Sequence, residues 1–185
     1  MFKTILNCRV CKSGIIPYAK FPPLPLANNL CITQQDAMNA TKFSVTMAFC
    51  PACGISQLLE VVDSSTLFED YAYRSSISNG YRNHIRRLIK KLDINSNSLV
   101  IDIAGNDGTA LKVFQEEFPG IRVLNVDPAR NLVKISEEIG VNSYCGFWPE
   151  CIPEIKDLVA DADPRLAPAL ARKHRADGQG RRRRR

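Results

Sequence analysis

Leu99-Val100-Ile101-Asp102-Ile103-Ala104-Gly105-Asn106-Asp107-Gly108-Thr109 is the stretch on which the reading of this chain turns. It begins as an apolar run of strand character that closes on a carboxylate. A loop of small residues follows, and then a helix-like segment, Ala110 to Phe114. Nineteen residues after Gly108, a second apolar run, Val123-Leu124-Asn125-Val126, closes on Asp127. Strand, small-residue loop at a helix N-terminus, and an acid at the tip of the next strand make the first half of a nucleotide-binding α/β unit.

Working outward, residues 98–160 read as β-α-β-α followed by a short strand. The elements are Ser98–Ala104, Gly108–Phe118, Arg122–Val126 and Ala129–Ile139, with Gly140 as a C-cap and Val141 to Tyr144 as the third strand. Pro149 and Pro153 flank a last weak helix that reaches about Val159. Upstream, residues 63–93 are expected to be helical. Asp63 or Ser64 can serve as N-cap, and Leu67, Phe68 and Tyr71 fall at helical spacing. A second helix carries Tyr81, Ile85, Leu88, Ile89 and Leu92 on one face, with Arg82, Arg86, Arg87, Lys90 and Lys91 largely off it. Between the two lies a hydroxyl-rich run, Tyr71-Ala72-Tyr73-Arg74-Ser75-Ser76-Ile77-Ser78.

The first 66 residues form a different kind of module. Cys8-Arg9-Val10-Cys11 and Cys50-Pro51-Ala52-Cys53 are two C-x-x-C pairs, separated by 38 residues. Two thiolates at this spacing reach one tetrahedral zinc ion from a tight turn, and two such pairs supply the four ligands of a closed structural site. Gly54 suits the positive φ that such turns often need. Phe43–Phe49 and Ile55–Val62 are strand-like. Phe21-Pro22-Pro23-Leu24-Pro25-Leu26 excludes a helix interior. Of the seven cysteines, Cys31, Cys145 and Cys151 stand outside the pairs and are expected to be core thiols.

Composition sets the remaining bounds. The formal charge of +6 comes from residues 165–185, which hold nine Lys or Arg against one acid. The other 164 residues carry 16 basic and 18 acidic side chains, a net of −2, so the body has no nucleic-acid-like charge. The tail has no periodicity and is expected to be disordered. No run of 18 apolar residues exists and no secretory signal precedes Cys8, which gives a cytoplasmic expectation. The organisation expected is a zinc-binding module (1–66), a helical connector (67–97), a partial Rossmann-like domain (98–160) and a basic tail (161–185).

The loop narrows the ligand. Pyrophosphate-binding turns use G-x-G-x-x-G, whereas here Ala104 and Asn106 replace small backbone-only positions and Asp107 adds an anion. Such a loop repels a diphosphate. A ligand with a ribose for Asp127 and a cationic centre for Asp102 and Asp107 fits better, and S-adenosylmethionine is the common one.

Taken together, Cys8-x-x-Cys11, Cys50-Pro51-x-Cys53-Gly54, Tyr71-x-Tyr73-x-Ser75-Ser76-x-Ser78, Ile103–Thr109 and Val126-Asp127-Pro128-Ala129-x-Asn131 resemble the sugar C-methyltransferase family across about residues 5–160. The resemblance implies an α/β protein in which a small zinc-ribbon-like β module precedes an incomplete Rossmann-like methyltransferase domain of class I. It implies a structural zinc on Cys8, Cys11, Cys50 and Cys53. It also implies S-adenosylmethionine held by Asp102, Ala104, Gly105, Asn106, Asp107, Gly108, Asp127 and Pro128, with Tyr73 and Ser75 near cofactor or substrate. The substrate implied is a nucleotide-linked deoxysugar, methylated at the carbon beside a keto group. The family's catalytic base and later strands have no counterpart here, so the chain is expected to be an N-terminal fragment, inactive alone and of marginal stability. Two other readings compete: a zinc-ribbon interaction module that binds nucleic acid through its arginine tail, and a nicotinamide-dependent enzyme, which the missing glycines disfavour.

Overall fold

The computed structural model describes residues 2–160; the tail expected to be disordered lies outside the described residues. The chain divides into two compact units, Met1–Tyr73 and Arg74–Arg185.

The first unit is built of short antiparallel strands. β1 (Phe2–Thr4) and β5 (Glu60–Val62) form one pair, while β2 (Ile16–Pro25), β3 (Lys42–Phe49) and β4 (Ser56–Leu58) form a three-stranded sheet in that order. Helix α1 (Gln34–Asn39) is capped by Thr33, whose hydroxyl accepts the Asp36 N–H at 3.1 Å. The proline run proves to lie in a strand. β2 holds Pro17, Pro22, Pro23 and Pro25, and it tolerates them because it is an edge strand whose register slips between Pro17 and Ala19 and between Phe21 and Leu24.

What this unit lacks is a core of large side chains. Among its described residues the fully buried apolar ones are Cys8, Ala48 and Cys50, joined by the polar Thr46 and Gln57. The polar pair are held by local bonds. Glu60 accepts the Thr46 N–H and hydroxyl, both at 2.8 Å, and Gln57 accepts the Arg9 N–H at 2.9 Å.

The second unit is a parallel α/β sheet. Its strands are β6 (Leu99–Ile103), β7 (Arg122–Asp127) and β8 (Ser143–Cys145), in the order β6-β7-β8. The helices are α3 (Asn79–Ile89), α4 (Thr109–Glu117), α5 (Arg130–Glu138) and α6 (Ile152–Ala160). Side chains alternate along β7, so both faces of the sheet are covered. Val123 joins Ile85, Ile89, Leu111, Val113 and Phe114 on one side, while Leu124 and Val126 join Cys151 and Ile155 on the other. α5 ends as expected on Gly140 (φ 78°). The N–H groups of Gly140 and Val141 bond the carbonyls of Glu137 and Ser136, the crossed pair that closes a helix C-terminus.

Some expectations are corrected. The first helix of 63–93 is shorter than its spacing suggests: α2 spans only Ser64–Phe68, and Tyr71 lies outside it. The next turn is a single 3-10 turn, Ser75–Ile77, because the Ser75 and Ser76 N–H groups bond side chains elsewhere in the second unit and not a preceding turn. On α3, Ile85 and Ile89 are buried, but Leu88 is exposed, and Leu92 lies beyond the helix and is also exposed. Cys31 and Cys145 are exposed, and of the three outlying cysteines only Cys151 is a core thiol. The basic residues of α3 are partly paired: Arg82 and Arg86 reach Glu116 at 2.9 and 3.0 Å, exposed bridges that contribute at most about 1 kcal/mol each. Among the described residues no helix is long and apolar enough to cross a membrane.

Leu111 is fully buried where α4 meets the sheet. Leu111→Ala is expected to destabilise the second unit by about 2–5 kcal/mol in denaturant titration.

Candidate functional site

Two sites emerge, one in each unit. In the first, both C-x-x-C turns adopt the same backbone course. The Cys8 N–H bonds the Ser13 carbonyl (2.7 Å) and the Lys12 N–H returns to the Cys8 carbonyl (3.0 Å). In the other turn the Cys50 N–H bonds the Ile55 carbonyl and the Gly54 N–H returns to the Cys50 carbonyl, both at 2.9 Å. Both turns need a left-handed residue one place after the second cysteine. Gly54 (φ 74°) supplies it without strain, and Lys12 (φ 67°) supplies it at a cost of roughly 1–2 kcal/mol. The sequence marks the first of these with a glycine and leaves the second unmarked.

The two turns bring four sulfurs together. Cys8 and Cys53 lie 3.6 Å apart, Cys11 and Cys50 3.5 Å, and all four Sγ atoms fall within 4.8 Å of one another. A tetrahedron with metal–sulfur bonds of about 2.3 Å places its sulfurs about 3.8 Å apart, so the donor set fits zinc. The Ser13 hydroxyl and backbone N–H pull the Cys11 thiol down to about 6, whereas at Cys53 the lowering by the Ile55 N–H is outweighed by burial and the three neighbouring thiols, which push it up to about 12. Four protein ligands leave no open position, so the site is structural.

In the second unit, the loop after β6 is shaped by two left-handed residues that are not glycine: Ala104 (φ 60°) and Asn106 (φ 58°). Each bend is held from β7. The Ala104 N–H bonds the Val126 carbonyl at 2.8 Å, and the Asn106 N–H bonds Asp127 Oδ2 at 2.8 Å. The other Asp127 oxygen accepts the Ala129 N–H at 2.8 Å, which turns the chain through Pro128 into α5. Gly105 sits where a Cβ would come within 2.8 Å of Asp102 Oδ2 and would overlap Asn125 Oδ1. A Cβ on Gly108 (φ 73°) would overlap the Ser136 hydroxyl.

The three aspartates at this end differ in environment. Asp107 is wholly buried. Its oxygens take the Thr109 hydroxyl (2.7 Å), the Thr109 N–H (3.3 Å) and the Ser76 N–H (2.9 Å). Although burial raises it, these bonds hold its carboxyl below the usual range. Asp102 is raised by burial and by the nearby Asp127 charge; Asp127 is raised by burial, which outweighs its two backbone bonds. The Asn106 side chain likewise faces inward to the chain itself, its Oδ1 accepting the Ser75 N–H at 3.0 Å.

The residues named from the sequence are therefore distributed by role. Asp102, Ala104, Gly105, Asn106, Gly108, Asp127 and Pro128 gather around one loop. Asp107 supports that loop and does not face solvent. Ser75 is bound to the loop through its backbone. Tyr73 belongs to the first unit, where it is about half exposed. Sequence reasoning missed Asn125 and Ser136; Asn125 had a signal, as a polar residue inside an apolar run, and Ser136 had none.

Because the first unit buries so few large apolar side chains, metal ligation must supply much of its stability. Chelation, or Cys8→Ser, is expected to remove one zinc per chain by atomic absorption. It should abolish the unfolding transition of residues 2–73 while leaving the transition of the parallel sheet in place.

Comparison with known proteins agrees with this geometry. Residues 8–68 match a family described as "Putative zinc binding domain", a span that starts on Cys8 and takes in all four clustered thiols. Over 159 residues the chain is 31% identical to the C-methyltransferase NovU of Streptomyces niveus, covering 83% of this chain and 37% of that protein. The chain thus spans little more than a third of that relative's length. The two findings agree with the resemblance drawn from the motifs: the chain is similar to a C-methyltransferase over most of its own length, with a zinc-binding module in its first unit and a Rossmann-like parallel sheet in its second.

Proposed function

We propose that the chain supplies the cofactor-holding part of an S-adenosylmethionine-dependent C-methyltransferase acting on a nucleotide-linked deoxysugar. The observation that carries the reading is the left-handed loop 104–106, fixed over Asp127 and beside Asp102. A carboxylate offers about four acceptor positions, and Asp127 uses two of them on backbone N–H groups. The rest are available to the paired hydroxyls of a ribose. Among the described residues Asp102 has no hydrogen-bond donor of its own, and it is the carboxylate suited to the cationic end of the ligand. Gly105 lets the loop lie against Asp102 and Asn125, where a Cβ would collide with both side chains.

S-adenosylmethionine, when bound, supplies an electrophilic methyl group on a sulfonium. The residues of this chain bind and orient it. Asp127 fixes the ribose and Asp102 favours positive charge. No residue here is assigned as the base that would deprotonate the sugar carbon. The sugar itself is inferred from the family resemblance and from the C-methyltransferase to which the chain is similar.

Calorimetric titration tests this. The zinc-loaded chain is expected to bind S-adenosylmethionine with one site and not NADH. No saturable heat with either S-adenosylmethionine or S-adenosylhomocysteine, or preferential binding of NADH or DNA, would overturn the reading.

The pH dependence has a definite sign. Asp102 and Asp127 are raised above the ordinary aspartate value of 3.8, so they lose charge first as pH falls. Binding of S-adenosylmethionine should weaken through that window, because both carboxylates act in ionised form. The ligand-free second unit should not weaken over the same window. A folded-state pKa above the unfolded one means that protonation favours folding, so stability is lost as pH rises through it and regained as pH falls. Asp107 runs the other way: its contribution holds above 3.8 and is lost only as pH falls through its lowered value. Affinity and melting temperature, measured in parallel, should therefore diverge on mild acidification.

A further inference from the structure

Asn125 has no part in the proposed binding chemistry, yet the sheet is organised around it in an unusual way. The register pairs Asp102 on β6 with Asn125 on β7, and Asn125 with Ser143 on β8. A polar row of Asp102, Asn125 and Ser143 thus crosses all three parallel strands. Asn125 is wholly buried. A buried amide in such a place is destabilising unless its hydrogen bonds are made.

Its bonds lead to the loop. Asn125 Nδ2 donates to the Asn106 carbonyl at 3.0 Å and lies 3.1 Å from the Ser136 hydroxyl of α5. Ser136 and Ser143 share a hydrogen bond of 2.8 Å, and the Ser143 hydroxyl lies 3.0 Å from the Val141 carbonyl. Asn125 Oδ1, by contrast, is buried with no hydrogen-bond partner and is directed at Gly105, beside Asp102. An amide that needed only to be satisfied would not leave its oxygen in this position. The donor side is held by the Asn106 carbonyl, and the oxygen is left where it bars any side chain at position 105.

We infer that Asn125 is a positioning residue for the cofactor loop: anchored through Ser136 and Ser143, it holds the Asn106 peptide in its left-handed form and reserves position 105 for bare backbone. Asp127 grips the N–H of Asn106 and Asn125 grips its carbonyl, so both ends of residue 106 are fixed from one strand. Neither contact works through the ligand. Asn125 acts on binding only through the loop, and the ligand part of this inference rests on the function proposed above.

The test uses four forms of the zinc-loaded chain: unaltered, Asn125→Ala, Asn125→Asp, and Ile85→Ala as a core control. Ile85 is buried on α3, away from the polar row. Two quantities are read, amide hydrogen exchange across residues 104–108 and affinity for S-adenosylhomocysteine. Asn125→Ala should speed exchange in the loop at least tenfold relative to the sheet and weaken affinity at least tenfold. Ile85→Ala should do neither beyond about threefold, even at a comparable loss of melting temperature. Asn125→Asp, of nearly the same volume, removes the Nδ2 donation without leaving a cavity and should behave like Asn125→Ala; normal loop protection there would reduce Asn125 to packing. Unchanged exchange in a folded Asn125→Ala, or equal effects in the Ile85→Ala control, overturns the inference. If the unaltered chain fails to bind while Asn125→Ala still loosens the loop, the proposed function falls and the positioning role stands.

Discussion

The hydrogen bond from the Asn106 N–H to Asp127 Oδ2 is the constraint on which the second unit depends. Without it the chain has no reason to leave β6 through two left-handed residues that carry side chains, each costing roughly 1–2 kcal/mol. With it, the loop is tied to the tip of the neighbouring strand, and the bond from the Ala104 N–H to Val126 fixes the other bend. The same carboxylate starts α5 through the Ala129 N–H. One side chain thus sets the loop, the strand tip and the next helix in a single frame. A ligand bound there would meet a surface already organised, which lowers the entropy lost on binding.

That economy changes how the acids at this site are understood. Asp102, Asp107 and Asp127 are alike in sequence, and each closes or follows an apolar run. In the fold they do different things. Asp107 spends its oxygens on Thr109 and Ser76 and has none facing solvent. Asp127 gives one oxygen to the Asn106 N–H and the other to the Ala129 N–H. Asp102 is left without a donor among the described residues. The anion that the sequence places in the loop to repel a diphosphate is therefore a strut. Ala104 and Asn106 are the residues that stand where phosphate-binding turns use glycine.

Legibility followed the range of the interaction. The parallel sheet could be read because strands covered on both faces are rich in apolar residues, and 99–103 and 122–127 are largely so. The zinc turns could be read because their chemistry lies within four residues. The strand through Pro17, Pro22, Pro23 and Pro25 could not, because its licence is an edge position and two register slips that exist only once β3 is in place. The 3-10 turn at 75–77 was equally hidden. Its hydroxyls suggested ligand contacts, whereas its backbone N–H groups are what bind, to side chains some thirty residues away. Asn125 was passed over as one polar residue in a strand, and its role appears only when three strands are set in register.

The two units also solve stability by opposite means. The sheet of the second buries Leu111, Val113, Leu124, Val126, Leu132 and Ile155, enough apolar surface to specify itself. The first has nothing comparable among its described residues, and it accepts a strained Lys12 so that both cysteine turns can take the same course. Strain of that kind persists only where something stronger enforces it. Here the four sulfurs, converging from two turns far apart in sequence, are the feature strong enough to do so, and they make the metal the core that the sequence of this unit omits.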